Sequence, residues 1–299
     1  LIAWIVDAPG SEAMGPAPEG WVVAPFPEDP SSSPDRDRVE FVVPDAQTAP
    51  RLEGLPALRV VQLRSAGVDW IIDRVPPGVT LCSARGARDG AMAEWVVWAI
   101  LADAKAAPRA ARLQAAGEWE HLDLRDVAGA SVLILGHGAI GAAVEERLVP
   151  FGVELVRVAR SARDGVHAID DLGGLLPHAD VVVNLLPATP QTRGVLGAGA
   201  LAAMPDGALL VNAGRGATVD TAALVAELEA GRLRAVLDVV DPEPLPPEHP
   251  LWRAPNLILT PHSAGDTPGA ERAAWAVAGE QLRRHAAGEP LRNVVRDGY

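Results

Sequence analysis

Apolar residues in this chain come in short dense runs separated by stretches of helical spacing. Ile2–Val6, Val39–Val43, Arg59–Leu63 and Val79–Cys82 read as strands of a first unit, and the Pro/Ser/Asp-rich stretch Pro25–Asp37 reads as an exposed loop between them. A helix is predicted from about Gly90 to Ala107, stopped near Pro108, as a connector to a second unit. The rhythm then becomes strand, helix, strand, with strands expected at Ser131–Leu135, Val153–Val158, Val181–Leu186, Ala208–Asn212, Arg234–Val239 and Asn256–Thr260. Between the fourth and fifth of these, Asp220 can cap a helix and Gly231 lies just past its end. Near-continuous apolar strands alternating with helices imply a parallel sheet covered on both faces. From about Asp266 the pattern is one helix and a tail.

The turn after Ser131–Leu135 is the most informative stretch. Gly136-His137-Gly138-Ala139-Ile140-Gly141 joins that strand to a helix with Ile140, Val144 and Leu148 on one face. This is the dinucleotide-binding arrangement. The first glycine permits a tight turn, the second lets backbone approach a pyrophosphate, and the third lets helix pack on strand. The pyrophosphate then sits at the positive end of the helix. Glycine-rich turns are common; the placement between strand and helix gives this one its weight. Roughly 130 residues precede it, enough for another domain.

Composition narrows the function further. With 299 residues, 48% hydrophobic, the chain can bury two cores. A net charge of −13 argues against a nucleic-acid partner. The longest apolar run, Trp95–Ala102, is too short for a membrane span. No basic-then-apolar leader opens the sequence as given, which does not begin with Met. Cys82 is the only cysteine, so no internal disulfide can form, and a cytoplasmic setting fits. Lys105 is the only lysine and Tyr299 the only tyrosine, so no Tyr-x-x-x-Lys catalytic pair exists. A zinc site built on two cysteines is equally impossible, and no metal is expected.

Ligands of an open parallel sheet bind beyond the carboxyl ends of its strands. Arg215, Glu243 and His262 fall just past three consecutive predicted strand ends. Reduction of a carbonyl acid needs a hydride donor, a proton donor and a cation. Arg can bind a carboxylate bidentately, His can give a proton near neutral pH, and Glu can hold a His in its charged form. Each has a plainer reading as a loop or turn residue; together, beside a dinucleotide turn, they form a constellation. His249, in Pro247-Glu248-His249-Pro250, reads as surface loop, and His121, His167, His178 and His285 as structural.

With these motifs in order, the chain resembles the D-isomer-specific 2-hydroxyacid dehydrogenase family over nearly its whole length. The resemblance rests on Gly136–Gly141, Asn212-x-x-Arg215-Gly216, Asp238 with Glu243 five residues later, and Thr260-Pro261-His262. It implies two Rossmann-like or flavodoxin-like α/β domains with parallel sheets. The cofactor domain (residues 94–265) would be inserted into a substrate domain (1–93 and 266–299). It implies that Arg215 binds substrate, that His262 is the acid/base paired with Glu243, and that Asp238 lies near the nicotinamide carboxamide. Ser65, Ala66 and Gly67 resemble the loop whose backbone amides hold the substrate carboxylate, while Asp69 reads as a helix cap. Leu186, Pro187 and Ala213, at the following strand ends, complete the cofactor-binding set, and a homodimer formed through the cofactor domain is implied.

Several positions depart from the family pattern. A carboxylate is expected at the end of the second strand, about 20 residues past the fingerprint, but Ala159 stands there, followed by Arg160, Ser161 and Arg163. Without a carboxylate to repel it and with guanidinium groups to bind it, a 2′-phosphate is favoured, so NADP is expected, with NAD open. Val43-Pro44 stands near where phosphoglycerate dehydrogenases carry an arginine. Ala66 replaces the lysine of phosphite dehydrogenases, and Glu243 the glutamine of formate dehydrogenases. A small glyoxylate- or hydroxypyruvate-like acid remains. Trp95 and Trp98 are expected to pack within the connector helix, and Trp119 in a core rather than toward a neighbouring subunit. The competing class is a non-enzymatic NAD(P)-binding sensor of the corepressor kind.

Overall fold

The computed structural model describes residues 1–6 and 10–296; Tyr299 lies outside them. The chain divides into two compact units, Leu1–Asp89 with Asp266–Tyr299, and Gly90–Gly265, so the second is inserted into the first.

The first unit contains strands β1 (Ile2–Ile5), β2 (Val22–Pro25), β3 (Val39–Val43), β4 (Val60–Gln62) and β5 (Thr80–Cys82). All run parallel in the order β2-β1-β3-β4-β5. Alternation along β1 sends Ile2 and Trp4 to one apolar layer and Ala3 to the other. Strand β2 escapes a sequence reading because it is a partly exposed edge. It buries no continuous face and ends on Pro25, a residue tolerated at edges.

The inserted unit opens with α1 (Asp89–Ala104) and α2 (Ala107–Ala116). Sequence periodicity predicts one helix here, but the chain breaks at Ala106, whose φ of 48° is left-handed. Pro108 lies in the first turn of α2 instead of stopping α1, where its missing N–H costs no hydrogen bond. Next come β6 (Ser131–Leu135), α3 (Ala139–Leu148), β7 (Glu154–Ala159), β8 (His167–Ala168), α4 (Leu172–Leu175) and β9 (Val181–Asn184). Then come α5 (Ala198–Ala203), β10 (Leu209–Asn212), α6 (Thr221–Glu229), β11 (Arg234–Leu237) and β12 (Leu257–Leu259). Asp220 caps α6 as expected, accepting the Ala223 N–H at 3.0 Å.

These seven strands are parallel in the order β12-β11-β10-β9-β6-β7-β8. Val132 and Ile134 of β6 enter one core layer with Ala93, Val96 and Val144; Leu133 and Leu135 enter the other. Chain direction across the sheet reverses between β6 and β9, which creates a crevice at their carboxyl ends. Strands β9, β11 and β12 stop before the predicted ends, and the segments beyond them carry the candidate chemistry. The first unit is completed by α7 (Pro268–Ala286), capped by Thr267. Among the described residues no helix is long and apolar enough to cross a membrane.

Candidate active site

The three glycines after β6 meet different constraints. Gly136 has φ 103°, and a Cβ there would lie 3.0 Å from the Leu185 carbonyl carbon beyond β9. A Cβ on Gly141 would stand 2.8 Å from the Gly136 oxygen, so only glycine lets α3 seat this closely on the turn. A Cβ on Gly138 would meet nothing within 4 Å. Gly138, the N-cap residue of α3, has no side chain to cap it. An uncapped helix N-terminus beside open space suits an anion, because its first amides lack intrahelical acceptors. The residues present therefore fit a dinucleotide pyrophosphate.

Beyond β7, Ala159 is followed by exposed Arg160 and Ser161. Arg163 pairs with Val166 across a tight turn, and its guanidinium Nη2 donates to the His137 carbonyl oxygen at 2.7 Å. Glu145 on α3 receives both arms of Arg157 and touches His137. The Arg157 hydrogen bonds hold the Glu145 carboxyl well below its ordinary range, at about 2.

Arg215, Glu243 and His262 lie beyond β10, β11 and β12, three adjacent strands. His262 Nδ1 lies 2.5 Å from Glu243 Oε1, and the two side chains are 48% and 40% exposed. His262 itself has a left-handed φ of 52°, a conformation costing on the order of 1 kcal/mol for a residue with a Cβ. Asp238, at 3% exposure, holds that shape. Its carboxylate accepts the Thr260 hydroxyl at 2.6 Å and the amides of Ser263 and Ala264 at 2.9 and 3.0 Å, while its carbonyl accepts the His262 N–H at 2.8 Å.

A second buried frame fixes Arg215. Asn184 donates to Asn212 Oδ1 at 3.0 Å and to Thr218 Oγ1 at 2.6 Å, and the Thr218 hydroxyl donates to the Arg215 carbonyl at 2.6 Å. Asn184 and Thr218 are fully buried. Sequence reasoning misses both; an amide closing the apolar run Val181-Val182-Val183 is the available signal. Gly216 is required by close approach, since a Cβ would overlap the Val240 carbonyl. Leu186 and Ala213 are buried.

Ser65, Ala66 and Gly67 belong to the first unit, in the loop after β4. The Ser65 hydroxyl donates to the Gly67 carbonyl at 2.7 Å, and its own carbonyl accepts the Ala84 N–H at 2.8 Å. The short helix Ile72–Arg74, three residues past Asp69, starts from Ile71, whose own side chain does not cap it. His249 caps the turn Pro250–Arg253 by accepting the Leu251 N–H, and His285 lies 3.1 Å from Glu40. Trp119 is fully exposed, which corrects the expectation of core packing: its segment has no helix or strand to carry it into a layer.

Residues 97–264 match the sequence profile of the D-isomer specific 2-hydroxyacid dehydrogenase NAD binding domain. The chain belongs to that family. A D-3-phosphoglycerate dehydrogenase of Methanocaldococcus jannaschii is 32% identical over 257 residues, 82% of this chain and 48% of that protein. The chain thus spans about half the length of the first such relatives it matches. Solved family members superpose along the whole chain. A D-isomer specific 2-hydroxyacid dehydrogenase from Xanthobacter autotrophicus, in complex with NADPH and MES, gives a TM-score of 0.85 at 32% identity, covering 100% of this chain and 99% of that one. An NADPH-dependent glyoxylate/hydroxypyruvate reductase from Sinorhizobium meliloti, in complex with NADP and sulfate, gives 0.87 at 29%, with the same coverage.

Proposed function

We propose that this dehydrogenase-family protein reduces a small 2-oxo acid of the glyoxylate or hydroxypyruvate kind to its D-2-hydroxy acid, with NADPH preferred to NADH. The observation that carries this reading is the His262–Glu243 pair, 2.5 Å apart beyond adjacent strands and half exposed. An ionised carboxylate only accepts, so Glu243 takes the Nδ1–H and fixes the ring's orientation. Nε2 is left to hand a proton to the alkoxide oxygen as it forms. Arg215 binds the substrate carboxylate, its backbone held by the Asn184–Asn212–Thr218 frame. The Ser65–Gly67 amides of the first unit are the other group that the family resemblance assigns to substrate. When bound, the nicotinamide supplies the hydride.

Gly136–Gly141 would hold the pyrophosphate, Arg160, Ser161 and Arg163 the 2′-phosphate, and Leu186, Pro187, Ala213 and Asp238 the nicotinamide half. The absence of a carboxylate at Ala159 supports NADPH, as do solved relatives in complex with NADPH and NADP. Val43 and Pro44, buried at the end of β3, offer no guanidinium for a substrate phosphate, which supports a smaller acid. Purified protein is to be mixed with NADPH or NADH and with glyoxylate, hydroxypyruvate, pyruvate and 3-phosphohydroxypyruvate. NADPH-driven turnover of the first two is expected. Cofactor binding with no turnover would replace this reading by a sensor, and preference for the phosphorylated acid would replace the substrate class.

The same reading includes a homodimer and a cytoplasmic setting. Helix α2 buries no residue, and Trp98, Trp119 and Leu124 are exposed at 44%, 102% and 55%, apolar surface that a second copy would cover. Light scattering should give about twice 31.2 kDa; a monomer at every concentration would refute the dimer. Cys82, free and buried, supports the cytoplasm.

A further inference from the structure

His137 occupies a variable place in the fingerprint, yet the structure gives it a defined set of partners. Its Nε2 lies 2.7 Å from Glu145 Oε2 on α3. Glu145 is itself gripped by Arg157 of β7, through Nε at 2.8 Å and through Nη2. A carboxylate so held is ionised at neutral pH and can only accept, so Nε2 carries the ring hydrogen. Nδ1 then presents a lone pair. Arg163 Nη2 lies 3.2 Å from that Nδ1 and 2.7 Å from the His137 carbonyl oxygen. Two hydrogens on one nitrogen thus meet two acceptors on one residue. The remaining three N–H groups of the guanidinium, on Nε and Nη1, point to different sides of the plane's edge, so each can meet a phosphate oxygen singly while the positive charge stays in place.

The charges around the ring sort themselves. Arg157 and Glu145 neutralise each other, and Arg163 is left as the net cation of the group, exposed beyond the strand end where Ala159 replaces a carboxylate. We propose that His137 is a specificity-determining positioning residue: with its tautomer set by Glu145, it holds Arg163 oriented for the adenosine 2′-phosphate of NADPH. The proposal rests on the preference for NADPH over NADH. A preorganised guanidinium loses less freedom on meeting the phosphate than one swinging in solvent, and only the cofactor bearing that phosphate benefits.

Two substitutions separate the halves of the relay. His137→Gln keeps a donor near the Nε2 position for Glu145 but removes the acceptor at Nδ1. His137→Asn offers an oxygen near Nδ1 for Arg163 but gives up Glu145. Equilibrium titrations with NADPH, NADH and adenosine 2′,5′-bisphosphate read the effect without turnover, and melting temperatures confirm that each variant folds. His137→Gln should weaken NADPH and adenosine 2′,5′-bisphosphate about tenfold and leave NADH unchanged, while His137→Asn retains most of the affinity. Equal losses for NADH and NADPH, or an Asn variant no better than the Gln variant, would overturn the assignment. A wild-type preference for NADPH that survives His137→Gln removes this proposal alone. A wild type binding NADH as tightly as NADPH removes the cofactor reading, and the proposal with it.

Discussion

The turn after β6 and the loops after β10–β12 stand at the same edge of one sheet but are built on opposite plans. The first works by absent side chains: Gly136 and Gly141 are dictated by close backbone approach, and Gly138 faces open space. The second displays its chemistry on half-exposed side chains, His262 and Glu243, above buried polar frames centred on Asn184 and Asp238. On the proposed reading, one edge separates holding a ligand, which backbone can do alone, from proton transfer, which needs an ionisable group kept at a fixed angle.

Removing the exposed chemistry should give the largest effect. His262→Ala is expected to lower the catalytic rate by ~10²–10⁴ while the Kd for NADPH barely moves; stopped-flow turnover and cofactor titration check both halves. Breaking the frame beneath should act on fold and rate together. Asn184→Leu removes the buried amide that donates to both Asn212 Oδ1 and Thr218 Oγ1, and should cost about 1–3 kcal/mol in urea unfolding along with a loss of kcat. The fingerprint glycines sharpen the contrast. Gly141→Ala drives a Cβ against backbone and should destabilise by about 1–3 kcal/mol. Gly138→Ala should leave the melting temperature unchanged and weaken NADPH binding only. A common outcome for the two glycines would erase the distinction drawn between them.

Acid should loosen the fingerprint side of the comparison. Glu145 is depressed from the usual 4.5 to about 2, chiefly by Arg157. The stability this confers is therefore complete above about pH 4.5 and lost as pH falls toward 2. After solvent screening the contribution is of order 1 kcal/mol, and Glu145→Gln should remove it from the pH dependence of urea midpoints. The smallest effect concerns Cys82, whose thiol burial pushes up to about 11. Native protein at pH 8 should resist iodoacetamide, and unfolded protein should be alkylated.

Legibility in the sequence divides along the same line. The fingerprint, the Asp220 cap and the order of the three strand-end residues can be read because each is set by local spacing. Asn184, Thr218 and the partners of His137 cannot, because the side-chain contacts that join Asn184 to Asn212 and Thr218, and His137 to Glu145 and Arg163, span 8 to 34 positions. Edge strand β2 and the two-residue β8 lack a buried face to mark them, and the break at Ala106 rests on one left-handed residue without a glycine. Trp119 defeats its sequence reading because a large apolar side chain need not find a core in its own chain.

The first unit is written in two pieces, and that has a consequence for synthesis on the ribosome. Its apolar layer of Ala3, Phe41 and Val60 is completed by Trp275, Ala278 and Leu282 from α7, and Gly279 packs against the Met14 backbone so closely that a Cβ would overlap it. A nascent chain therefore carries an unfinished N-terminal sheet, one face uncovered, throughout translation of the inserted unit, which already holds all of its own strands. Folding by emergence would finish the later-made unit first and the earlier-made one last. Chaperone demand should accordingly fall on residues near the N-terminus, and ribosome-stalled chains ending before α7 should show them cut first by protease.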